Sequence, residues 1–523
     1  MFFSVYTLGC KLNQLETEAI IDSFCKAGFI LVPWDKAKSS LPEHGSGDPS
    51  ILILNTCTVT SMAEQKARRI IRKALKDFPA APLIITGCYA QMDKDGISAL
   101  CMEQDRIFVI PGEEKDRIMD LPRYLAESGV VAGQGCNKGV SSYDFSSVLP
   151  GLIASWLASL GDADKEADGA FLRGTSVLPD LGGRYRRGTS VLPDLGGRYR
   201  RGTSVLTDLG GRFRFLPENF ASHSRGFLKI QDGCDRSCAY CRVSLARGKS
   251  CSFPAENALK ALKALEQRGF GEVVLTGVNI SQYRDLNMGL PELLDFLLGG
   301  TERIRLRLSS IEPDFLVSGN SADNFFRILA NPRIMPHLHL SIQSGSAEIL
   351  SKMERSYIPG DVERAVCLIR SVRLDPFIAC DIITGFPGET EEEFEKTREL
   401  CERKDFAWIH AFPFSPRPGT AAFGFPGKVS QRDAVKRVEL LTSLARKGRR
   451  EYICRWEGKE VEAVVERGGG APACHVHGVS ENYLKLLIDC GADPLPAPGT
   501  IIRCRVLSAS KEKGIDAFAG KIP

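Results

Sequence analysis

The chain has 523 residues, 43% of them hydrophobic and 25% charged, with a formal net charge of +4. Length and composition fit about three globular domains; no run approaches the roughly 18 uncharged apolar residues of a membrane span, and the opening "MFFSVYTLGCKLNQ" lacks the basic start and small-residue cleavage site of a secretory signal. A cytoplasmic protein is the expectation, and its 17 cysteines, an odd number in a long chain, argue for metal or redox use over a disulfide framework.

Residues 1–139 alternate β-rich runs with helical patterns: "FFSVYTLGC", "LETEAIIDSFCKAG", "SILILNTCTVT", "EQKARRIIRKALKDF" and "PLIITGCYA". This alternation predicts a small parallel α/β domain. Cys10, Cys57 and Cys88 each fall just past a predicted strand. The carboxyl ends of parallel strands share one edge of a sheet, so these three thiols could converge although they are distant in sequence.

Residues 140–221 read as an insertion. "RGTSVLPDLGGRYR" occurs at 173–186, recurs identically at 187–200 and returns at 201–214 as "RGTSVLTDLGGRFR". These copies hold nine Arg and three Asp, a net of +6, which leaves −2 for the rest of the chain. Overall charge therefore says nothing about nucleic acid. A 14-residue unit with three glycines has neither the length nor the apolar face of a stacking repeat, and near-identity between copies suggests tandem expansion. The expectation is a disordered basic segment, with an RNA-touching arm as the alternative. The uncharged run "VLPGLIASWLASLG" at 148–161 is grouped with it.

Residues 222–453 carry six further strand-like runs separated by helical patterns: "GFLKIQ", "EVVLTGV", "IRLRLSS", "HLHLSIQS", "FIACDIITG" and "FAWIHAFPF". They predict a barrel or partial (β/α)6 barrel with its site at the carboxyl ends of the strands. Directly after the first run, "QDGCDRSCAYCRV" places Cys234, Cys238 and Cys241 in a C-x3-C-x2-C array, one thiolate short of a closed structural metal site. Two readings stay open. A 4Fe-4S cluster held by three thiolates leaves one iron free for a chelating ligand; zinc would need a fourth residue, and the nearest histidine is His223. Cys25, Cys101, Cys136, Cys367, Cys380, Cys401, Cys454, Cys474, Cys490 and Cys504 read as small core residues, and Cys251 is left open. In residues 454–523 the runs "KEVEAVVE", "NYLKLLID" and "GTIIRCRVLS" predict a small all-β barrel, a shape often used for RNA. Its Arg455, Trp456, Lys459 and Tyr483 read as solvated surface.

These motifs carry a resemblance. Residues 226–420 resemble the radical S-adenosylmethionine superfamily, and the chain outside about 140–215 is similar to the methylthiotransferases. "TLGCKLNQLETE", "NTCTVT" and "TGCYAQ" resemble their amino-terminal domain; "LSSIEPDF", "HLHLSIQSGS", "MERSYIPG", "DIITGFPGETEEEFE" and "FPFSPRPGTAAF" resemble their barrel; "GVSENYLKLLI" looks like their small TRAM barrel. The resemblance implies a 4Fe-4S cluster on Cys234, Cys238 and Cys241 whose open iron is chelated by the methionine part of S-adenosylmethionine, which the cluster cleaves to a 5'-deoxyadenosyl radical. It implies a second 4Fe-4S cluster on Cys10, Cys57 and Cys88. It also places Thr276 and Gly277 near the methionyl end of S-adenosylmethionine, and Gln343, Arg355 and Asp381 near its ribose or carboxylate.

The motifs "LGCKLNQ" and "NTCTVT", with "IQDGC" and "SSIEP", look most like the branch that acts on N6-threonylcarbamoyladenosine beside the tRNA anticodon. The implied partners are the tRNA anticodon loop, an electron donor such as flavodoxin or ferredoxin, and a sulfur donor. Alternatives are a methylthiotransferase of isopentenyladenosine tRNA or of a ribosomal-protein aspartate, and a non-catalytic RNA-binding protein stapled by zinc. The chain departs from the family after its third array cysteine, where Ser244 and Leu245 replace a Pro-Tyr pair and Cys251 is added.

Overall fold

The computed structural model describes residues 1–34, 48–100, 104–129, 148–171, 191–193, 199–201, 211–467 and 471–522. Its contacts divide the chain into two compact units, one of residues 1–58 and 62–219, the other of residues 59–61 and 220–523.

The first unit is built on a five-stranded parallel sheet of β1 (Phe2–Thr7), β2 (Ile30–Leu31), β3 (Ile51–Thr56), β4 (Leu83–Gly87) and β5 (Ile107–Val109), in the order β2-β1-β3-β4-β5. The central strand, "ILILNT", is buried along its whole length, as expected for a parallel strand covered on both faces. Ile51 and Ile53 pack with Ile20 and Phe24 of α1 (Lys11–Lys26). Leu52 and Leu54 pack with Ala67, Ile70, Ile71 and Ala74 of α2 (Ser61–Asp77). Strand alternation thus assigns one helix to each face.

Residues 148–161, grouped with the insertion on sequence, belong instead to this core. They lie in α3 (Leu149–Phe171), whose Leu149, Ile153 and Trp156 join the α1 side of the sheet. Positions i, i+4 and i+7 put all three on one helical stripe, which must bury its apolar surface somewhere. The last residues of the third repeat also join this unit: Arg214 makes a two-pronged bond to Asp120 at 2.8 and 2.7 Å, and the adjacent Phe215 is buried. Residues 191–193 pair antiparallel with 199–201; the remaining repeat residues before 211 lie outside the described residues.

In the second unit all six expected strands form: β6 (Gly226–Lys229), β7 (Glu272–Thr276), β8 (Arg305–Leu308), β9 (His337–Gln343), β10 (Phe377–Thr384) and β11 (Trp408–Pro413). Every pairing is parallel, in two triplets, β6-β7-β8 and β9-β10-β11. Parallel bridges Leu306–Ile334 and Ile311–Leu340 connect the triplets into one partial barrel. Two helices matter below, α4 (Glu391–Lys404) and α5 (Gln431–Trp456).

The tail closes a five-stranded barrel of β12 (Glu460–Val465), β13 (His475–Ser480), β14 (Lys485–Asp489), β15 (Ile501–Ala509) and β16 (Ala517–Lys521). Sequence patterning found β12, β14 and β15. It missed "HVHGVS" and "AFAGK", short runs interrupted by glycine whose strand state depends on their neighbours.

A buried charge cluster joins this barrel to the partial barrel. Glu272 on β7 accepts two bonds from Arg307 on β8, at 2.7 and 3.0 Å, with Arg305 and Arg225 also close. Arg307 continues to the Ser480 and Glu481 carbonyls at 3.1 and 3.0 Å. Burial alone would push the Glu272 carboxyl up, but the arginines, Arg307 foremost, hold it below its ordinary range. Tyr483, read on sequence as solvated surface, instead lies over His337 with ring centroids 4.1 Å apart and under Arg307. Arg455 is bound to Asp375 and Asp405, and Lys459 covers the Trp456 ring. Of these four, Tyr483 belongs to the joint, through His337 and Arg307, whereas Arg455 and Lys459 are exposed, as read on sequence. Among the cysteines read as core, Cys380, Cys401, Cys490 and Cys504 are buried, whereas Cys25, Cys367, Cys454 and Cys474 are exposed; Cys101 and Cys136 lie outside the described residues. Cys25, Cys367 and Cys454 occupy outward helix positions, which the apolar stripe does not reach. Among the described residues no helix is long and apolar enough to cross a membrane.

Replacing Arg307 by Leu removes one partner of a buried pair and is expected to destabilise the protein by roughly 3–5 kcal/mol in chemical denaturation. The Glu272 pKa is depressed in the folded state, so its contribution is complete above the ordinary carboxylate range and is lost as pH falls through the lower folded value. The difference between wild type and R307L should therefore shrink below about pH 4.

Candidate functional site

The strand ends of the first unit carry Cys10, Cys57 and Cys88. Cys10 caps α1 just after β1, Cys57 follows β3, and Cys88 opens the short helix Cys88–Met92 after β4. Because β1, β3 and β4 are adjacent and parallel, all three residues lie along one sheet edge. Side chains from the same motifs hold that edge together. Asn13 donates to the Leu8 carbonyl at 2.7 Å and the Thr56 carbonyl at 2.9 Å, while Asn55 donates back to the Asn13 carbonyl at 3.0 Å. Thr56 donates to the Thr86 carbonyl at 2.5 Å and accepts from the Ala90 N–H.

Gly9 and Gly87 make the close approach possible. Both have positive φ, +110° and +97°, which favours glycine. A Cβ on Gly9 would stand 2.8 Å from the Cys57 Cβ and 3.0 Å from its Sγ, and one on Gly87 would stand 2.4 Å from the Thr56 carbonyl. The glycine before Cys10 thus preserves space at the Cys57 thiol. Three thiols along one sheet edge, with no side chain on residue 9 to crowd Cys57, fit a cluster bound through three irons.

In the second unit, Cys234, Cys238 and Cys241 lie on one loop whose ends are tied by pairing of Gln231–Asp232 with Cys251–Ser252. Cys251 is thereby part of this small hairpin, with its thiol 3.6 Å from the Asp232 carbonyl. Buried Asp232 anchors the loop: it takes Lys229 at 2.7 Å, Arg247 at 3.0 Å and the Gly233 N–H at 2.8 Å. Gly233 has φ +70°, and a Cβ there would stand 2.0 Å from the Lys249 carbonyl.

Each array sulfur receives an N–H donor. The Arg236 N–H reaches Cys234 at 3.4 Å, the Val243 N–H reaches Cys241 at 3.4 Å, and the Arg355 guanidinium reaches Cys238 at 3.0 Å. Burial pushes the Cys241 thiol up to about 11, against the Val243 hydrogen bond and with the other two thiols adding to the rise. Three thiols close together on one loop, each reached by an N–H donor that can compensate charge on sulfur, suit an iron–sulfur centre. Among the described residues no group of three His, Cys, Asp or Glu side chains is placed to hold a single metal ion. In a cluster each thiolate binds a different iron, so the sulfurs need not approach as closely as around one zinc, where Zn–S is about 2.3 Å.

The five residues considered for S-adenosylmethionine fall in two groups. Thr276 ends β7, and Gly277 follows it against Gln231, whose Oε1 a Cβ would approach to 2.8 Å. Gln231 accepts from the Asn279 N–H at 2.8 Å and donates to the Gly233 carbonyl at 2.7 Å, so it ties the β7 end to the cluster loop. Arg355 touches that loop directly through Cys238 and is held by Glu312 at 2.7 Å. Gln343 and Asp381 lie on the other triplet. Gln343 has φ +66° where the β9–β10 register shifts; Asp381 stands beside His339, with Oδ1 2.9 Å from Nε2, and opposite His410 in register.

Sequence reading assigned no role to Gln231, Asp232, Glu312 or Arg236. Glu312 binds both Arg355 and Arg236, the latter at 2.9 Å, making it the hinge of the loop's support. The available signal was a polar residue inside each of the motifs "IQDGC" and "SSIEP", without a partner nearby in sequence to explain it.

Replacing Arg355 by Gln removes a charged donor from Cys238. Hydrogen bonds and charge at cluster sulfurs set reduction potential, so R355Q should lower the midpoint potential in an EPR-monitored titration and reduce cluster affinity or activity by roughly 10–100-fold.

Known protein families match both units of the chain. The Radical SAM superfamily model matches residues 228–401, and the model of the uncharacterized protein family UPF0004 matches residues 3–109. The chain is 38% identical over 506 residues to the threonylcarbamoyladenosine tRNA methylthiotransferase MtaB of Treponema pallidum (strain Nichols), covering 96% of this chain and 97% of that one. It is 30% identical to the enzyme of the same name from Thermotoga maritima, covering 88% and 86%. It is 28% identical to a tRNA-2-methylthio-N(6)-dimethylallyladenosine synthase from Thermotoga petrophila, covering 89% and 86%. Identity sustained along nearly the full length, through both cysteine-bearing units and the terminal barrel, shows that the chain belongs to the radical S-adenosylmethionine methylthiotransferases, in the MtaB family.

Proposed function

We propose that this chain is a tRNA methylthiotransferase that adds a methylthio group to C2 of N6-threonylcarbamoyladenosine beside the anticodon. The observation that carries the reading is the 38% identity over 96% of the chain with a relative of that activity. Cys234, Cys238 and Cys241 would hold one 4Fe-4S cluster and Cys10, Cys57 and Cys88 the other. When bound, the clusters and S-adenosylmethionine supply the radical, sulfur and methyl chemistry of the reaction.

The protein's own residues supply placement. Arg355, fixed by Glu312, orients the cluster loop through Cys238. Gln231 holds the loop in register with Thr276 and Gly277, where S-adenosylmethionine would lie. On the other triplet, His339, Asp381, His410 and Phe412 share the face opposite buried Leu340, Ile382 and Ile409. The His339, His410 and Phe412 rings are nearly parallel in sequence, with angles of 13° and 5°. Ring faces of this kind support an unstacked loop base, which anticodon loops can present and helical RNA cannot. The threonyl carboxylate of the substrate needs a paired or hydrogen-bonded partner once buried, whereas an isopentenyl group needs an apolar wall, so one pocket should not serve both well. A low-potential electron donor such as flavodoxin or ferredoxin and a sulfur donor complete the scheme, in the cytoplasm where the tRNA is modified.

Anaerobically reconstituted protein should contain about eight irons per chain. Given tRNA bearing either modification, it should form the methylthio product on the threonylcarbamoyl form, read by nucleoside mass spectrometry; preference for isopentenyl tRNA would replace the substrate while keeping the reaction class. Changing Cys10, Cys57 and Cys88 together to Ala should preserve 5'-deoxyadenosine formation and stop methylthiolation. The same change at Cys234, Cys238 and Cys241 should stop both.

A further inference from the structure

Helix α2 carries a charged face that none of the residues assigned so far uses. Ala67, Ile70, Ile71 and Ala74 are its buried side. At about 100° per residue, Lys66, Arg69, Arg72, Lys73 and Lys76 fall within an arc of about 120° on the opposite side, and all five are exposed. From Lys66 to Lys76 they extend about 15 Å along the helix.

Helix α4 treats its basic residues differently. On α4, Lys396 pairs with Glu393, Arg398 with Glu395 and Glu402, Arg403 with Glu399 and Glu363, and Lys404 with Glu363. On α2 the acids are few and engaged: Glu64 accepts from Thr58, and Asp77 stands 4.0 Å from Lys73. Lys66, Arg69, Arg72 and Lys76 have no carboxylate partner among the described residues. Like charges at i+3 and i+4 work against the helix, so these side chains do not serve folding. Position supplies a further reason. The helix begins four residues after Cys57, and its Arg68 donates to the Tyr89 hydroxyl at 2.8 Å, bracing it to the segment after Cys88.

We propose that the solvent face of α2 is a phosphate-binding surface that holds the backbone of the tRNA at the cysteine-bearing edge of the first unit. The inference rests on the tRNA reading above and adds a contact surface to it. A row of cations without partners complements a row of phosphates, and the contact would contribute through counterion release, independent of base sequence. The face then positions RNA and leaves identification of the modified base to the pocket.

The test compares full-length reconstituted wild type with K66Q/R69Q/R72Q/K76Q and with a control, K396Q/R398Q/R403Q on α4. Binding of fluorescent tRNA is measured from about 50 to 200 mM salt, a range over which phosphate contacts show as a slope of roughly −0.7 to −0.9 per contact. The α2 variant should lose about two to four units of slope and weaken binding at least tenfold at low salt. The control should keep the wild-type slope, and all three should cleave S-adenosylmethionine alike in the absence of tRNA. Single K66E and K76E variants, each expected to lower the slope by about one, carry the test if the fourfold variant folds poorly. Wild-type slope and affinity in the α2 variants overturn the proposal while the tRNA reading stands; absence of tRNA binding by wild type overturns both. Unchanged tRNA binding with loss of turnover only when a protein electron donor replaces dithionite would assign the face to that donor and overturn the proposal.

Discussion

Parallel pairing is the constraint on which the functional arrangement depends. Strands that run in the same direction deliver their carboxyl ends to one edge, and the loops leaving that edge become neighbours whatever their separation in sequence. The first unit uses this for Cys10, Cys57 and Cys88, at the ends of three adjacent strands. The second unit uses it for the loop of Cys234, Cys238 and Cys241 and for Thr276, Gly277 and Gln343. An antiparallel sheet of the same strands would send alternate loops to opposite ends.

Bringing loops together is not sufficient, because buried thiols and carbonyls crowd and repel. Two devices recur in this chain. Glycines at positive φ remove the side chain that would collide, Gly9 against Cys57 and Gly233 against the Lys249 carbonyl. Buried amides and carboxylates then connect backbone groups of different loops, Asn13 and Asn55 in one unit, Gln231 and Asp232 in the other. Asn13 and Gln231 donate to backbone carbonyls near strand ends, and Asp232 takes Lys229, Arg247 and the Gly233 N–H; such bonds allow polar residues at these buried positions.

The joint between the partial barrel and the small barrel works by a different balance. Glu272, Arg307, Arg305 and Arg225 are charges withdrawn from water, and their mutual attraction offsets a desolvation penalty more than it adds net stability. Their directional bonds to the Ser480 and Glu481 carbonyls define how the terminal barrel docks. The apolar contribution comes from Phe377, Tyr452 and the inward residues of the small barrel, with the Tyr483 ring tilted against His337 at the seam. The tail's share of the joint is thus the Ser480 and Glu481 carbonyls and the Tyr483 ring, which no local pattern in the tail marks.

Periodicity and spacing alone determined much of this protein. The alternation of "ILILNT" and "LIITG" with amphipathic helices indicated the parallel sheet, six β-rich runs indicated the partial barrel, and the C-x3-C-x2-C array marked the loop after its first strand. Such signals are local: they depend on side-chain period and on ligand spacing within one loop. What remained for the tertiary structure was everything set by partners far away in the chain. The run at 148–161 has no partner in its own neighbourhood and became core only because α1 and the sheet offered a face for Leu149, Ile153 and Trp156. Strands β13 and β16 exist because β12, β14 and β15 pair with them. Glu312 supports the cluster loop because Arg355 and Arg236 reach it from 43 and 76 residues away, a convergence that no window of sequence contains.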